Sequence, residues 1–229
     1  MASSKPKHPE PVPEATQLAV MPFLAAVEGY LIEGNQDCGL RLTVHRLMAR
    51  EKHRHIQQIC TYFGGAKDER SAGRLFSAQT GLMGLALEKK KICHTKHYDN
   101  VNLFEQEIRA DRIDAGEGGD NQGRAQSFLA IPFIGEDSEV VLILYAESTQ
   151  FNFFANEEKV STIANMCQSF CDLADWIVEQ VPRSSLRNFE TKKLDFKVGH
   201  QTAFRRINAH PDIVAPSFNH LRSFNLETI

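Results

Sequence analysis

SFLAIPFIGEDSEVVLILYAEST, residues 127 to 149, decides the fold. Two nearly unbroken apolar runs, Phe128 to Ile134 and Val140 to Tyr145, flank the acidic, glycine-containing step Gly135-Glu136-Asp137-Ser138. Short continuous apolar runs read as strands covered on both faces, and the step between them reads as a turn. This hairpin is predicted to form the centre of an antiparallel sheet.

Downstream, FFANEEKVSTIANMCQSFCDLADWIVEQ (153–180) predicts a long closing helix. Asn156 offers the N-cap oxygen, Glu157 and Glu158 complement the positive end of the helix dipole, and Pro182 ends the helix. Val160, Ile163, Cys167, Phe170, Ala174 and Ile177 form its core stripe. Met166, Leu173 and Trp176 make a second stripe, which calls for another partner.

Upstream, Leu18–Glu33 is predicted helical, with Val20, Leu24, Val27 and Leu31 on one face and Pro22 tolerable only in the first turn. Residues 40–48 alternate Leu40, Leu42 and Val44 against Arg41, Thr43 and His45, predicting a strand with one wet face. Residues 55–65 supply its antiparallel partner, and a short strand lies near 73–79. TGLMGLALEKKK (80–91) predicts a helix opening at Thr80, residues 91–99 are extended, and residues 100–111 form a helix with Val101, Phe104 and Ile108 on one face. Residues 112–126 carry glycines and charges without a period and predict a mobile loop. The element order implies an α+β domain, an antiparallel sheet with flanking helices.

Composition narrows the function. The 229 residues carry 26 basic and 29 acidic side chains, a net charge of -3, so no global field recruits nucleic acid or anionic lipid. Five cysteines, odd in number and without a C-x-x-C pair, suit reduced thiols in the cytoplasm. There is no signal-like N-terminus and no apolar run of membrane-spanning length. Residues 1–16 are read as a disordered lead-in, 17–181 as the domain, and 182–229 as a basic extension that packs on the domain or on a partner. From residue 183 onward, eight Lys/Arg against four acids give +4, which leaves -7 on the rest of the chain. The tail also holds Phe189, Phe196, Phe204, Phe218 and Phe224, more aromatics than a solvated tail needs. Without a recognisable nucleic-acid-binding motif, that use of the tail is disfavoured.

Three segments resemble the GAF family of sensory modules. GLMGLALEKKKIC (Gly81 to Cys93) is similar to the family's Gly-x-x-Gly-x-Ala turn into a helix and strand. Ser127 to Ser148 resembles its Ser-x-x-x-x-Pro strand followed by a valine-rich strand. Phe154 with NEEKVSTIANMC resembles its lead into the last helix. The likeness covers roughly residues 17–180. It implies a sheet of about six strands, dimerisation through the first and last helices, here Leu18–Glu33 and Asn156–Gln180, and a small-molecule pocket between the sheet and residues 80–126. Phe76, Cys93, His97, Tyr98, Phe104, Ser127, Phe128 and Ala130 are the ligand-binding candidates that this layout places near the pocket. No cofactor follows from the sequence.

Other chemistries are weaker readings. Cys93-His94-x-x-His97, with His45, His53 and His55, has metal-ligand types, but Cys93 ends a strand that would bury it and the histidines lie among lysines. Cys93 also lies too far upstream of the hairpin to resemble a bilin attachment site. The sulfoxide-reductase branch of the family resembles Gly-x-x-Gly-x-Cys where this chain has Ala86, and no cysteine occurs from residue 94 to 166; that activity would need Cys60 or Cys93. A cyclic-nucleotide signature cannot be assembled. GEGGDNQG (116–123) carries acids that repel phosphate and reads as a lid. Cys167 and Cys171, one helical turn apart, read as core or interface residues. The expectation is a non-catalytic sensor acting on a separate effector protein, with a ligand-free dimerisation scaffold as the alternative.

Overall fold

The computed structural model describes residues 14–34, 38–50, 53–64, 72–79, 81–114, 125–180 and 207–219. Among the described residues, four helices, α1 (Glu14–Ile32), α2 (Gly81–Lys89), α3 (Val101–Asp114) and α4 (Glu157–Gln180), accompany seven strands: β1 (Arg41–Arg50), β2 (His53–Gln58), β3 (Leu75–Ser77), β4 (Cys93–Thr95), β5 (Ser127–Ile134), β6 (Val140–Ser148) and β7 (Ile207–Ala209). They form one sheet in the order β3-β2-β1-β6-β5-β4-β7, and every pair of neighbours is antiparallel. The fold is α+β, with six strands from the body and a seventh supplied by the C-terminal extension.

The quoted hairpin occupies two inner positions of the sheet, with Ile131 opposite Leu144. Its turn closes with the Ser138 N–H donating to the Gly135 carbonyl at 2.9 Å. Along β5, Leu129, Ile131 and Phe133 join the core under α1 and α4, whereas Phe128 and Ala130 join the core under α2. Period-two alternation thus splits one apolar strand between two cores. Asn156 caps α4, its side-chain oxygen accepting the Lys159 N–H at 3.0 Å, and Asn100 caps α3 in the same way through Leu103.

Several expectations need correction. Pro22 lies inside α1 rather than in its first turn. It removes one i→i−4 bond, but it faces outward, and burial of Val20, Leu24, Val27 and Leu31 holds the helix. The wet face expected on β1 is covered, for Thr43 and His45 have no exposed surface; β1 is an inner strand between β2 and β6, and Phe76 and Tyr145 pack against the His45 ring. Ile177 is 49% exposed and leaves the core stripe of α4. Thr80, Pro182, the loop at 116–123 and Phe189, Phe196, Phe204 and Phe224 lie outside the described residues, and so does the side chain of Ile108.

Two glycines are required where the chain returns to β1. Gly64 has φ +76°, and a Cβ there would run into the Leu40 carbonyl oxygen; Gly39 has φ +55°, and its Cβ would meet the Thr149 side chain. Gly64→Ala combines left-handed strain with a backbone clash. It is expected to cost about 2 kcal/mol or more in urea unfolding, and Gly29→Ala, on α1 with open space at its Cβ, is expected to cost nothing.

Candidate functional site

The eight candidate residues separate into three groups. Cys93, Tyr98, Phe104, Phe128 and Ala130 come together beneath α2 and α3, and Phe76 packs at the margin of the same core. Phe104 meets Phe128 stacked at 6.2 Å, with Tyr98 and Phe151 against its edges at 5.3 and 6.2 Å. The Tyr98 hydroxyl donates to Glu107 at 2.6 Å, and Tyr98 exchanges two hydrogen bonds with the Asn152 side chain. This half of the helix-covered face is filled by interlocking rings. His97 lies on the surface, 3.8 Å from Asp99. Ser127 points to the opposite face, where its hydroxyl accepts the Phe154 N–H at 2.9 Å and fixes the approach to α4.

The other half of that face, over β1, β2 and β6, is polar at its centre. His45 is fully buried, with Gln58 as its partner across β1 and β2 and Ile143 across β1 and β6. Among the described residues, neither His45 ring nitrogen has a hydrogen-bond partner. The edges of Phe76 and Tyr145 enclose the imidazole at 5.4 and 6.1 Å, so the flanking groups are aromatic. The Gln58 amide nitrogen donates to the Cys60 carbonyl at 2.8 Å, which fixes the orientation of the amide and leaves the buried Oε1 without a donor. Thr43 spends its hydroxyl on the same carbonyl at 3.0 Å. A buried polar atom left unpaired costs about 1–3 kcal/mol, so three of them on adjacent strands mark a place where the fold gives up stability.

Burial lowers the His45 pKa to about 3, with the Arg74 charge acting in the same direction. The ring is neutral at physiological pH and presents one N–H donor and one acceptor. Toward the sheet edge, the Tyr145 hydroxyl donates to Glu147 at 3.0 Å, Arg41 pairs with Glu147 at 3.1 Å, and the Arg41 guanidinium lies over the Tyr62 ring at 4.2 Å. Burial raises the Tyr62 pKa to about 12 and raises that of Tyr145 well above the ordinary phenol value. The face therefore runs from a charged rim, through Tyr145, to neutral His45 and Gln58, and then to apolar Ile143 and Ile56. It can offer hydrogen bonds to a small uncharged molecule and has no charge at its centre to hold an ion.

Sequence reasoning missed His45, Gln58 and Tyr145. His45 and Gln58 stand on strands that alternate or carry polar residues, which read as solvated until the strand order shows them covered, and Tyr145 ends an apolar run that reads as core throughout.

Burial disfavours the thiolate at Cys60, Cys93, Cys167 and Cys171. All five cysteines are unpaired and buried. Burial pushes the Cys93 thiol up to about 12, against the nearby Lys89 charge, and raises Cys60, Cys167 and Cys171 as well. Among the described residues, no cluster of three His, Cys, Asp or Glu side chains has metal-binding geometry.

No protein-family model matches the sequence, and no curated protein does. Solved structures do match. A type II free methionine-R-sulfoxide reductase from Thermoplasma acidophilum aligns at 16% identity and a TM-score of 0.45, over 70% of this chain and 94% of that one. An IclR transcriptional regulator from Alicyclobacillus acidocaldarius aligns at 14% and 0.36, over 72% and 73%. A GAF domain aligns at 14% and 0.35, over 66% and 85%. At these values no residue role transfers from any of them.

Proposed function

We propose that this chain is a non-catalytic regulatory module of the GAF kind, which holds a small neutral molecule against the α2-side face of its sheet and acts on a separate effector protein. The carrying observation is the fully buried His45 with two unpaired ring nitrogens beside the unpaired oxygen of Gln58. A flat molecule with a donor and an acceptor would satisfy these atoms, and the Phe76 and Tyr145 rings already enclose the position. The three sequence segments support the family assignment, and the high thiol pKa values support the absence of cysteine catalysis. Five unpaired thiols suit a reducing cytoplasm, and among the described residues no helix is long and apolar enough to cross a membrane.

Output runs through a homodimer formed by α1 and α4. These helices pack on each other through the stacked Phe23 and Phe170 rings at 4.7 Å. They also expose Leu18, Met21, Leu173, Trp176 and Ile177, each between 42% and 60%. Leu173→Glu with Trp176→Glu is expected to weaken self-association at least tenfold in analytical ultracentrifugation and to leave the circular dichroism spectrum unchanged.

Native mass spectrometry before and after denaturation tests the sensor reading. A dimer with a dissociable extra mass in wild type, lost in His45→Phe, is the expected result. A bare polypeptide mass in both, with small-molecule screens that shift neither melting curve, would favour the second reading, a ligand-free dimerisation scaffold. That reading has its own support in the ring cluster around Phe104, which fills the β5 half of the face.

A further inference from the structure

The C-terminal segment 207–219 is held largely by its backbone. β7 adds to the free edge of β4 with Cys93 opposite Ala209, and the His210 N–H donates to the Ile92 carbonyl at 2.7 Å. Past the short β4, the segment crosses to β5, where the Ile134 N–H donates to the Pro216 carbonyl at 2.8 Å and the Ile134 carbonyl accepts the Phe218 N–H at 2.7 Å. From α4, the Gln168 amide reads both polar groups of Ser217, accepting its N–H at 3.0 Å and donating to its carbonyl at 3.2 Å, and Asp175 accepts the Asn219 N–H at 2.6 Å.

Two buried rings, Phe218 and His210, anchor the segment. Phe218 is buried between Phe133, stacked at 6.1 Å, and Phe170, edge-on at 6.4 Å. His210 stacks on His94 at 5.4 Å and accepts the Asp212 and Ile213 N–H groups through Nδ1, which shapes the turn between the two contact regions. By contrast, Val214 is 85% exposed. Sheet-edge pairing, a side-chain amide clamped on the backbone N–H and C=O of one residue, and a buried aromatic anchor are the means by which folded domains bind extended peptides. His210, Pro216 and Phe218 are buried while Pro211, Asp212, Val214 and Asn219 are exposed, and the backbone bonds to the body are made at the two ends, 207–210 and 216–219.

We propose that the channel bounded by the β4 and β5 edges and α4 is a peptide-recognition groove occupied in cis by residues 207–219, and that it accepts the same segment from a second copy of the chain. Residues 181–206 separate α4 from β7 and could span about 90 Å when extended, so their length permits either route. The groove is on the sheet edge, away from His45, and this inference does not depend on the sensor reading.

The tethered segment outcompetes a free peptide through its local concentration, so the test weakens the tether's own anchor. A fluorescent peptide INAHPDIVAPSFN is titrated by anisotropy into full-length wild type, Phe218→Ala and Ser217→Pro; the last removes one N–H from the clamp and is a milder change should Phe218→Ala not fold. At least tenfold tighter binding by the variants than by wild type is expected. Adding Gln168→Ala to either variant should weaken it at least fivefold, and the peptide with its phenylalanine replaced by alanine should not bind. An unlabelled full-length chain carrying Gln168→Ala, with a loosened clamp and an intact segment, should displace the peptide. Equal, weak binding by wild type and both variants, or binding indifferent to Gln168, overturns the groove. Peptide binding that the full-length competitor cannot displace overturns the second copy as its occupant.

Discussion

His45→Phe is expected to stabilise the ligand-free protein and to flatten the acid side of its stability profile. The imidazole is fully buried with both nitrogens unpaired, between the Phe76 and Tyr145 rings. Phenylalanine puts a ring of similar breadth in aromatic surroundings and removes a desolvation cost of about 1–3 kcal/mol, less any strain from its extra volume. For a chain of this size, 1 kcal/mol moves Tm by about 2–4 °C, so a rise of about 3–6 °C is expected in scanning calorimetry. The pH dependence has a definite sign. His45 takes up its proton near pH 6.5 when unfolded but only near pH 3 when folded, so the unfolded chain binds more protons between those values. Stability is fully present above about pH 6.5 and falls as pH drops toward 3, by up to about 1.4 kcal/mol per pH unit from this one group. Phenylalanine removes that contribution; His94, whose pKa is also lowered by burial, keeps its own. A destabilised variant with the wild-type acid slope would mean that the ring is already hydrogen-bonded in solution, and the site would lose its main support. A stabilised variant that no longer retains a small molecule would show stability given up for binding.

What could be read from the sequence, and what could not, divides along physical lines. The β5–β6 hairpin was legible because its side chains are apolar on both faces and its turn is local. The α4 cap was legible because Asn156 and the carboxylates after it act within one helical turn. The polar centre was not, because the covering of His45 depends on β1 lying between β2 and β6, a matter of pairing over about a hundred residues of chain. Alternation along residues 40–48 specifies two different faces and says nothing of what each face meets. The same limit explains the misplaced Ser127, whose strand parity sends it under α4, while His97 lies two residues past the short β4 and escapes to solvent. Cys93, Tyr98, Phe104, Phe128 and Ala130 share one buried core, yet the family layout could not say whether their side chains line an opening or close it.

Phe104→Ala decides that last point and is expected to have the largest effect on stability. Phe104 is almost fully buried, with Tyr98, Phe128 and Phe151 around its ring. Removing a buried phenyl ring costs about 3–5 kcal/mol where the neighbours cannot close the gap. Tyr98 is restrained by Glu107 and by the Asn152 clamp, and Phe128 is fixed in an inner strand opposite Glu147, so collapse is opposed from two sides. A Tm drop of about 10 °C is therefore expected. The cavity left behind would be walled by aromatic rings, and such cavities stay dry and take up benzene. Added benzene should restore several degrees to Phe104→Ala and leave wild type unmoved, by mass action on the folded state alone. A loss below about 1 kcal/mol, within the range of surface substitutions and small repacking, with no benzene response, would mean that α3 is loosely held and that the space under it is already open. The ligand would then sit between Phe104 and Phe128, not beside His45. A large loss rescued by benzene assigns the Phe104 cluster to the core and leaves the His45–Gln58 half of the face as the place where a small molecule can act.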